Sequence, residues 1–108
     1  MQVKYMQRAL ELARQAALED EVPIGAVIVD PEEDKIIAEA YNQSEHILDA
    51  TAHAELAAIQ KACRKLGQNR LRGMDLYVTL EPCCHQGRTP PCTEAILEQK
   101  IGRVVIGS

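Results

Sequence analysis

Four short apolar runs constrain the fold of this chain of 108 residues more than any other feature of its sequence. They have the length of buried β-strands and are residues 22–29, 35–40, 75–80 and 104–106. Three further stretches have helical periodicity or a helix-start signal and are residues 3–19, 51–66 and 90–99. The resulting order, α-β-β-α-β-α-β, predicts one mixed sheet with helices on both faces, which is a three-layer α/β sandwich.

The connections between the runs predict how the strands pair. A turn at residues 30–34 makes the first two strands a hairpin, whereas right-handed crossovers through a helix make the later strands parallel. In the first helix the predicted buried stripe is Val3, Met6, Leu10, Ala13 and Ala17. In the second helix Thr51 is the predicted N-cap, and the buried stripe is Leu56, Ile59, Cys63 and Leu66.

The composition fits one globular domain over residues 1–108, with 46% hydrophobic and 26% charged residues. No apolar run approaches the roughly 20 residues that cross a bilayer, so we expect a cytoplasmic protein with no membrane partner. A net charge of -4 and the lack of Phe and Trp argue against general attraction to nucleic acid. The cluster of Lys61, Arg64 and Lys65 is interpreted as a solvated helix face.

The cysteines are distributed unevenly along the chain. Three of the four lie within residues 83–92, next to His85, whereas Cys63 lies on the apolar stripe of the second helix and is expected in the core. Clustered cysteines in a cytosolic chain are typical of metal ligands or catalytic groups rather than of disulfides. We therefore expect the chemistry of this protein near residues 83–92.

Three candidate ligands, His53, Cys83 and Cys92, each lie at a predicted strand end or helix start. One imidazole and two thiolates form a three-ligand set for Zn²⁺ and leave the fourth tetrahedral position for water, which is typical of a catalytic site. Glu55 lies in the same first turn as His53 and is predicted to move protons rather than to bind the metal. A closed structural site with Cys84 or His85 as the fourth ligand is the alternative.

The order of these residues carries a family resemblance. His53-Ala54-Glu55 followed by Pro82-Cys83 resembles the H-x-E…P-C signature of the zinc-dependent nucleobase deaminases, the cytidine and deoxycytidylate deaminase superfamily. Residues 1–82 are similar to the bacterial tRNA adenosine deaminases, most clearly in segments 22–27 and 49–55. Residues 83–92 resemble instead the pyrimidine deaminase domain of riboflavin biosynthesis.

The resemblance implies roles for further residues. The tRNA enzymes have their second cysteine three residues after the first, where this chain has Gln86, so Cys92 supplies the second thiolate as in the riboflavin-type loop. Cys84 is then expected not to bind the metal. The implied substrate contacts are the backbone N–H of Ala54, the carbonyl of Pro82, and the side chains of Asn42, His85 and Arg88. A turn position for Asn42 and a loop-pinning role for Arg88 are the alternatives.

The predicted function is hydrolytic deamination with one Zn²⁺ per chain. The riboflavin-like loop and the acidic balance favour a small pyrimidine or nucleobase substrate, with conversion of adenosine to inosine in tRNA as the alternative. An alternative of another class is a non-catalytic module stabilised by zinc. The resemblance also implies a homodimer, and because the sequence ends after its fourth predicted strand, we expect it to lack the last strand and helix usual in this fold.

Overall fold

The computed structural model describes residues 3–43, 53–67, 71–79 and 102–106. The elements are α1 (Val3–Leu18), β1 (Gly25–Asp30), β2 (Lys35–Tyr41), α2 (Ala54–Leu66), β3 (Asp75–Val78) and β4 (Arg103–Ile106). Their order is the predicted one. The helix predicted at residues 90–99 lies outside the described residues.

The first strand begins later than predicted. Residues 22–24 were expected to belong to it, but the strand begins at Gly25. The N–H of Ile24 donates to the carbonyl of Val22 at 2.8 Å, a tight turn around Pro23, which has no N–H to give to a sheet. The apolar run therefore contains a turn followed by a strand.

The four strands form one mixed sheet in the order β2-β1-β3-β4. β1 is antiparallel to both of its neighbours, β2 and β3, and β3 is parallel to β4. β2, β3 and β4 consequently point in the same direction, as the predicted hairpin and crossovers require.

The two faces of the sheet pack against different helices. Ala26, Ile28, Leu76 and Val78 belong to the core cluster that contains the buried alanines of α2. The alternate residues Val27, Val29 and Tyr77 belong to a second cluster, with Tyr5, Ala9 and Leu12 of α1. Because successive side chains of a strand point to opposite faces, α1 and α2 cover opposite sides of the sheet. The three-layer sandwich is confirmed.

The buried face of α1 differs from the predicted stripe. The buried residues are Tyr5, Ala9, Leu12, Ala13 and Ala16. Of the predicted stripe only Ala13 is buried, whereas Val3 is 61% exposed and Leu10 is 37% exposed. The helix turns its small residues inward because its backbone closely approaches β1, and Tyr5 packs on Tyr77 with 5.4 Å between the ring centroids.

The close approach of α1 to β1 depends on Gly25. A Cβ atom at this position would lie 2.1 Å from the carbonyl oxygen of Ala9 and 2.8 Å from the backbone N of Ala13. Gly25→Ala is therefore expected to lower the free energy of unfolding by about 2–3 kcal/mol, since helix or strand must move apart. Urea denaturation of both proteins measures this difference.

Gly102→Ala provides the matched control for this prediction. A Cβ atom at Gly102 would have its nearest contact at 3.2 Å, with the carbonyl oxygen of Met74. The expected loss is clearly smaller than for Gly25→Ala. Equal losses for the two variants would contradict the argument that helix contact requires a glycine at position 25.

Candidate active site

Two buried polar residues lie where strands end at one edge of the sheet. β2 ends beside the start of β1, because Gly25 pairs with Tyr41, and β3 ends beside it on the other side, because Ala26 pairs with Val78. The residues that follow these ends are Asn42, which is 4% exposed, and Thr79, which is 3% exposed. Polar side chains are thus held inside the protein at this edge.

Hydrogen bonds continue the sheet beyond the strand ends. The N–H of Asn42 donates to the carbonyl of Ile24 at 3.0 Å. The N–H of Thr79 donates to the carbonyl of Gly25 at 3.2 Å, and the N–H of Gly25 donates to Oγ1 of Thr79, also at 3.2 Å. These bonds fix the backbone that carries both polar side chains.

The N-terminus of α2 lies at the same edge. β2 and β3 point in the same direction, so the helix between them must run back, starting where β2 ends. Apolar residues along this helix, from Ala54 to Ala62, pack on the sheet. The first residues of α2 therefore lie near Asn42 and Thr79 in the fold.

The helix begins later than predicted. Thr51, which lies outside the described residues, was the predicted N-cap, but the N-cap is His53, with φ -80° and ψ 147°. Because the backbone of His53 is extended, the helix begins only at the next residue, Ala54. The imidazole of His53 makes no capping hydrogen bond, whereas the backbone carbonyl of His53 accepts the N–H of Ala57 at 2.9 Å.

The start of α2 makes this edge of the sheet electrostatically positive. The first N–H groups of a helix have no acceptor within the helix, and the helix dipole is positive there. A negatively charged group beside the start of α2 is stabilised by both effects. His53 places an imidazole at this helix end, which is a ligand type that suits Zn²⁺, and the positive helix end favours the anionic thiolates or hydroxide of such a site.

Glu55 is the second residue of α2 and is completely buried. It is one of the largest fully buried side chains among the described residues. A carboxylate inside a protein costs free energy unless hydrogen bonds or an opposite charge compensate it, which makes fully buried Glu55 a candidate functional residue. Its burial beside half-buried His53 is the arrangement expected of a group that moves protons in a shielded site.

The remaining predicted site residues are outside the described residues. These are Pro82, Cys83, Cys84, His85, Arg88 and Cys92. Within residues 3–43, 53–67, 71–79 and 102–106, no group of three or more His, Cys, Asp or Glu side chains is arranged to hold a metal ion. The ligand set of His53, Cys83 and Cys92 therefore stays a prediction, and His53 is the one member that the structure describes.

Two other residues complete the description of the site's surroundings. Cys63 is half-buried against the core on the α2 side of the sheet, as predicted, and burial raises the pKa of its thiol. Thr79 was not predicted as part of the site. In the sequence, Thr79 stands out only as a hydroxyl residue that continues an apolar strand, and this is a weak signal.

In the part of the chain that the structure describes, no helix has the length and apolar character needed to span a membrane.

The sequence matches a known family along its full length. The family model for the cytidine and deoxycytidylate deaminase zinc-binding region matches residues 1–108. A tRNA-specific adenosine deaminase of Agrobacterium fabrum is 47% identical over 104 residues, which cover 96% of this chain and 63% of that protein. The chain thus spans less than two thirds of the length of this relative.

Solved structures share the fold. A structure from studies of A-to-I editing by tRNA:A34 deaminases at the wobble position of transfer RNA has a TM-score of 0.88 and 46% identity, over 98% of this chain and 71% of that one. Guanine deaminase from Bacillus subtilis has a TM-score of 0.87 and 36% identity, over 100% and 64% of the two chains. RibD from Acinetobacter baumannii has a TM-score of 0.71 and 36% identity, over 95% and 27%. The chain belongs to the cytidine and deoxycytidylate deaminase family of zinc-binding domains.

Proposed function

We propose that this chain carries the zinc site of a hydrolytic deaminase that converts adenosine to inosine in tRNA. The observation that carries the proposal is the pairing of His53 at the N-cap of α2 with fully buried Glu55 in its first turn. The choice of tRNA is supported by the 47% identity to a tRNA-specific adenosine deaminase over 104 residues.

His53, Cys83 and Cys92 would hold one Zn²⁺, which when bound supplies Lewis-acid activation of the attacking water. Glu55 accepts a proton from that water at its carboxylate. It donates this proton to the ring nitrogen, then takes the second proton from the hydroxyl now bonded to the ring carbon and passes it to the departing amine. A C–O bond forms, the C–N bond to the amino group breaks, and ammonia leaves. The N–H of Ala54 and the carbonyl of Pro82 would orient the ring, as the family resemblance implies.

The proposed substrate differs from the one that the sequence favoured. A small pyrimidine or nucleobase was expected, partly because of the net charge of -4. Net charge is a poor guide to phosphate binding when charges of one sign collect on a single face, because a phosphate responds to the local potential. The relatives therefore outweigh the overall acidity as an indication of substrate.

A small amino-substituted nucleobase is the second candidate substrate. It is favoured by the sequence of residues 83–92, where Gln86 stands at the position of the second cysteine in the tRNA enzymes. The likeness to guanine deaminase, at 36% identity, points the same way. A non-catalytic zinc-stabilised module is the third possibility, and a substrate panel separates all three.

The test is release of ammonia by the zinc-loaded protein from a panel of substrates. The panel contains an anticodon stem-loop RNA with adenosine at the wobble position, guanine, and pyrimidine nucleotides. For each wobble adenosine we expect one inosine and one ammonia to form. A matched RNA with guanosine at that position is expected to release no ammonia. Release only from guanine or from a pyrimidine would establish the second candidate instead. A zinc-loaded protein that acts on none of them would be the non-catalytic module.

Two further predictions accompany this proposal. We propose that residues 1–108 act as a single domain and that the protein assembles as a homodimer. Sedimentation of the zinc-loaded protein at several concentrations measures the mass directly. A particle with the mass of one chain, 12.0 kDa, at every concentration would contradict the dimer.

A further inference from the structure

The solvent face of α2 carries positive charge without compensation from its own helix. Lys61, Arg64 and Lys65 are exposed, as predicted. Their spacing of three and four residues places them on one side of the helix. Glu55 is the only acidic residue of α2, and it is fully buried. We call Lys61, Arg64 and Lys65 the cationic α2 face.

Several other cations of the described residues are paired with carboxylates. These pairs are Lys4–Asp34 at 2.8 Å, Arg8–Glu39 at 2.7 Å, Lys35–Glu33 at 3.1 Å and Arg103–Asp75 at 2.8 Å. Within the described ranges, no ion pair involves Arg64 or Lys65. Lys61 donates to the backbone carbonyl of Glu39 at 3.1 Å, and its charge is one of the causes, after Arg8, that lower the pKa of the Glu39 carboxyl. Arg64 and Lys65 are thus the two members of the face whose charges have no carboxylate partner among the described residues.

Helix stability accounts for only part of this pattern. Arg64 and Lys65 lie in the last turn of α2, where a positive charge interacts favourably with the helix dipole. Lys61 lies before that turn, and the dipole gives no reason for the lack of an exposed acid on the helix. In α1, by contrast, Arg8 has Glu11 as a partner on the same helix at 3.2 Å. The cationic α2 face therefore calls for another explanation.

The position of the face relates it to the proposed reaction site. α2 starts at the edge that carries His53 and Glu55. Lys65 lies ten positions after Glu55, which at 1.5 Å per residue is about 15 Å along the helix axis. A nucleic-acid duplex presents one negative charge per roughly 1.7 Å of its axis. An RNA stem-loop with its reacting base beside Glu55 is large enough to reach the cationic α2 face.

We propose that the cationic α2 face contacts the phosphate backbone of the RNA substrate on one side of the reacting nucleotide. The proposal rests on the proposed function, because it requires an RNA substrate. Lysine and arginine contacts to phosphate position a nucleic acid without reading its sequence. The face would thus add affinity and orientation, whereas the site at the start of α2 selects the base.

The test compares binding of the zinc-loaded wild-type protein and its variants to the anticodon stem-loop RNA, measured by fluorescence anisotropy over a series of salt concentrations. Arg64→Gln/Lys65→Gln is expected to weaken binding by about tenfold at low salt. The slope of log affinity against log salt is expected to fall by roughly 1.5, since two phosphate contacts are lost. Single-site Arg64→Gln is expected to show about half of the change in slope.

Arg14→Gln is the matched control. Arg14 is an exposed arginine on α1, which covers the opposite face of the sheet, and within the described residues it has no ion pair. Its substitution is expected to leave both affinity and slope unchanged. Thermal denaturation verifies that all variants fold. The rate of deamination of a trinucleotide substrate, too short to reach the face, should be equal in the wild type and in the double variant.

The outcomes separate this proposal from the function on which it rests. If the wild type deaminates the stem-loop, and the double variant binds it as tightly and with the same salt dependence as the wild type, the proposal is overturned and the function remains intact. Failure of the wild type to act on RNA would remove the proposed function and this proposal together. A change of oligomeric state in the double variant, seen by sedimentation, would show that the face joins copies of the chain and would also overturn it.

Discussion

Replacement of Glu55 by glutamine is expected to lower the rate of deamination by about 100-fold or more, whereas the zinc content stays at the wild-type level. Glutamine has nearly the size of glutamate and forms hydrogen bonds, so it fits the completely buried position. It cannot accept the proton of the attacking water. The measurement is the initial rate of ammonia release beside metal analysis of the same preparation.

Glu39→Gln is a suitable control for Glu55→Gln. The change of chemical group is identical, but Glu39 lies on β2 and pairs with Arg8 of α1. Its activity is expected to match that of the wild type. A Glu55→Gln protein that has lost its zinc would show that Glu55 is a ligand, and a variant with wild-type rate would show that another group moves the proton.

Cys92→Ser is expected to lower zinc affinity by at least about 100-fold, because it replaces a thiolate held roughly 2.3 Å from the metal by a poor hydroxyl ligand. The expectation follows from the riboflavin-type spacing of residues 83–92. Cys84→Ser makes the same chemical change eight residues earlier. It is expected to keep the zinc and most of the activity. Competition with a chromophoric chelator measures the affinity of each variant.

The opposite result would assign the ligands differently. If Cys84→Ser loses the metal and Cys92→Ser keeps it, the site uses adjacent residues of the chain instead of the riboflavin-type pair. If both variants lose it, Cys84 is a fourth protein ligand. The closed structural site would then replace the catalytic one, since no position would be left for water.

The architecture could be predicted because strand length and connection type limit the alternatives. Short apolar runs at 35–40 and 75–80, with a helix between them, leave few arrangements other than parallel strands joined by a crossover. The observed directions of β2 and β3 agree with this. The assignment of His53 and Glu55 to the site rested on the order of the candidate ligands and on the family signature, and it stays a prediction.

Packing of α1 could not be predicted from hydropathy. Val3 and Leu10 are larger and more apolar than Ala9 and Ala16, yet the alanines face the sheet. The deciding feature is Gly25 on another element, whose missing side chain allows the helix backbone to approach. Periodicity within a helix contains no information about its partner. Residue size across the contact decides which face is buried.

The start of α2 shows a similar limit. Capping preferences favour Thr51 over His53, because a threonine hydroxyl can accept a helix N–H and so stabilise the first turn. The helix instead begins after His53, whose side chain does not cap it. The capping preference of Thr51 therefore does not determine where α2 begins, and the imidazole of His53 takes the N-cap position at the sheet edge. Such departures from local rules are common at functional sites, where stability is given up for chemistry.

We expect one zinc ion, held through His53, to make this chain a deaminase. The decisive measurement is to remove the metal with a chelator, return it in measured portions, and follow ammonia release from the substrate together with thermal stability. Activity and melting temperature are expected to rise together and to level off at one equivalent of zinc per chain. A metal-free protein with unchanged activity and melting would contradict the claim, and so would one that binds zinc fully and releases no ammonia from any amino-substituted ring.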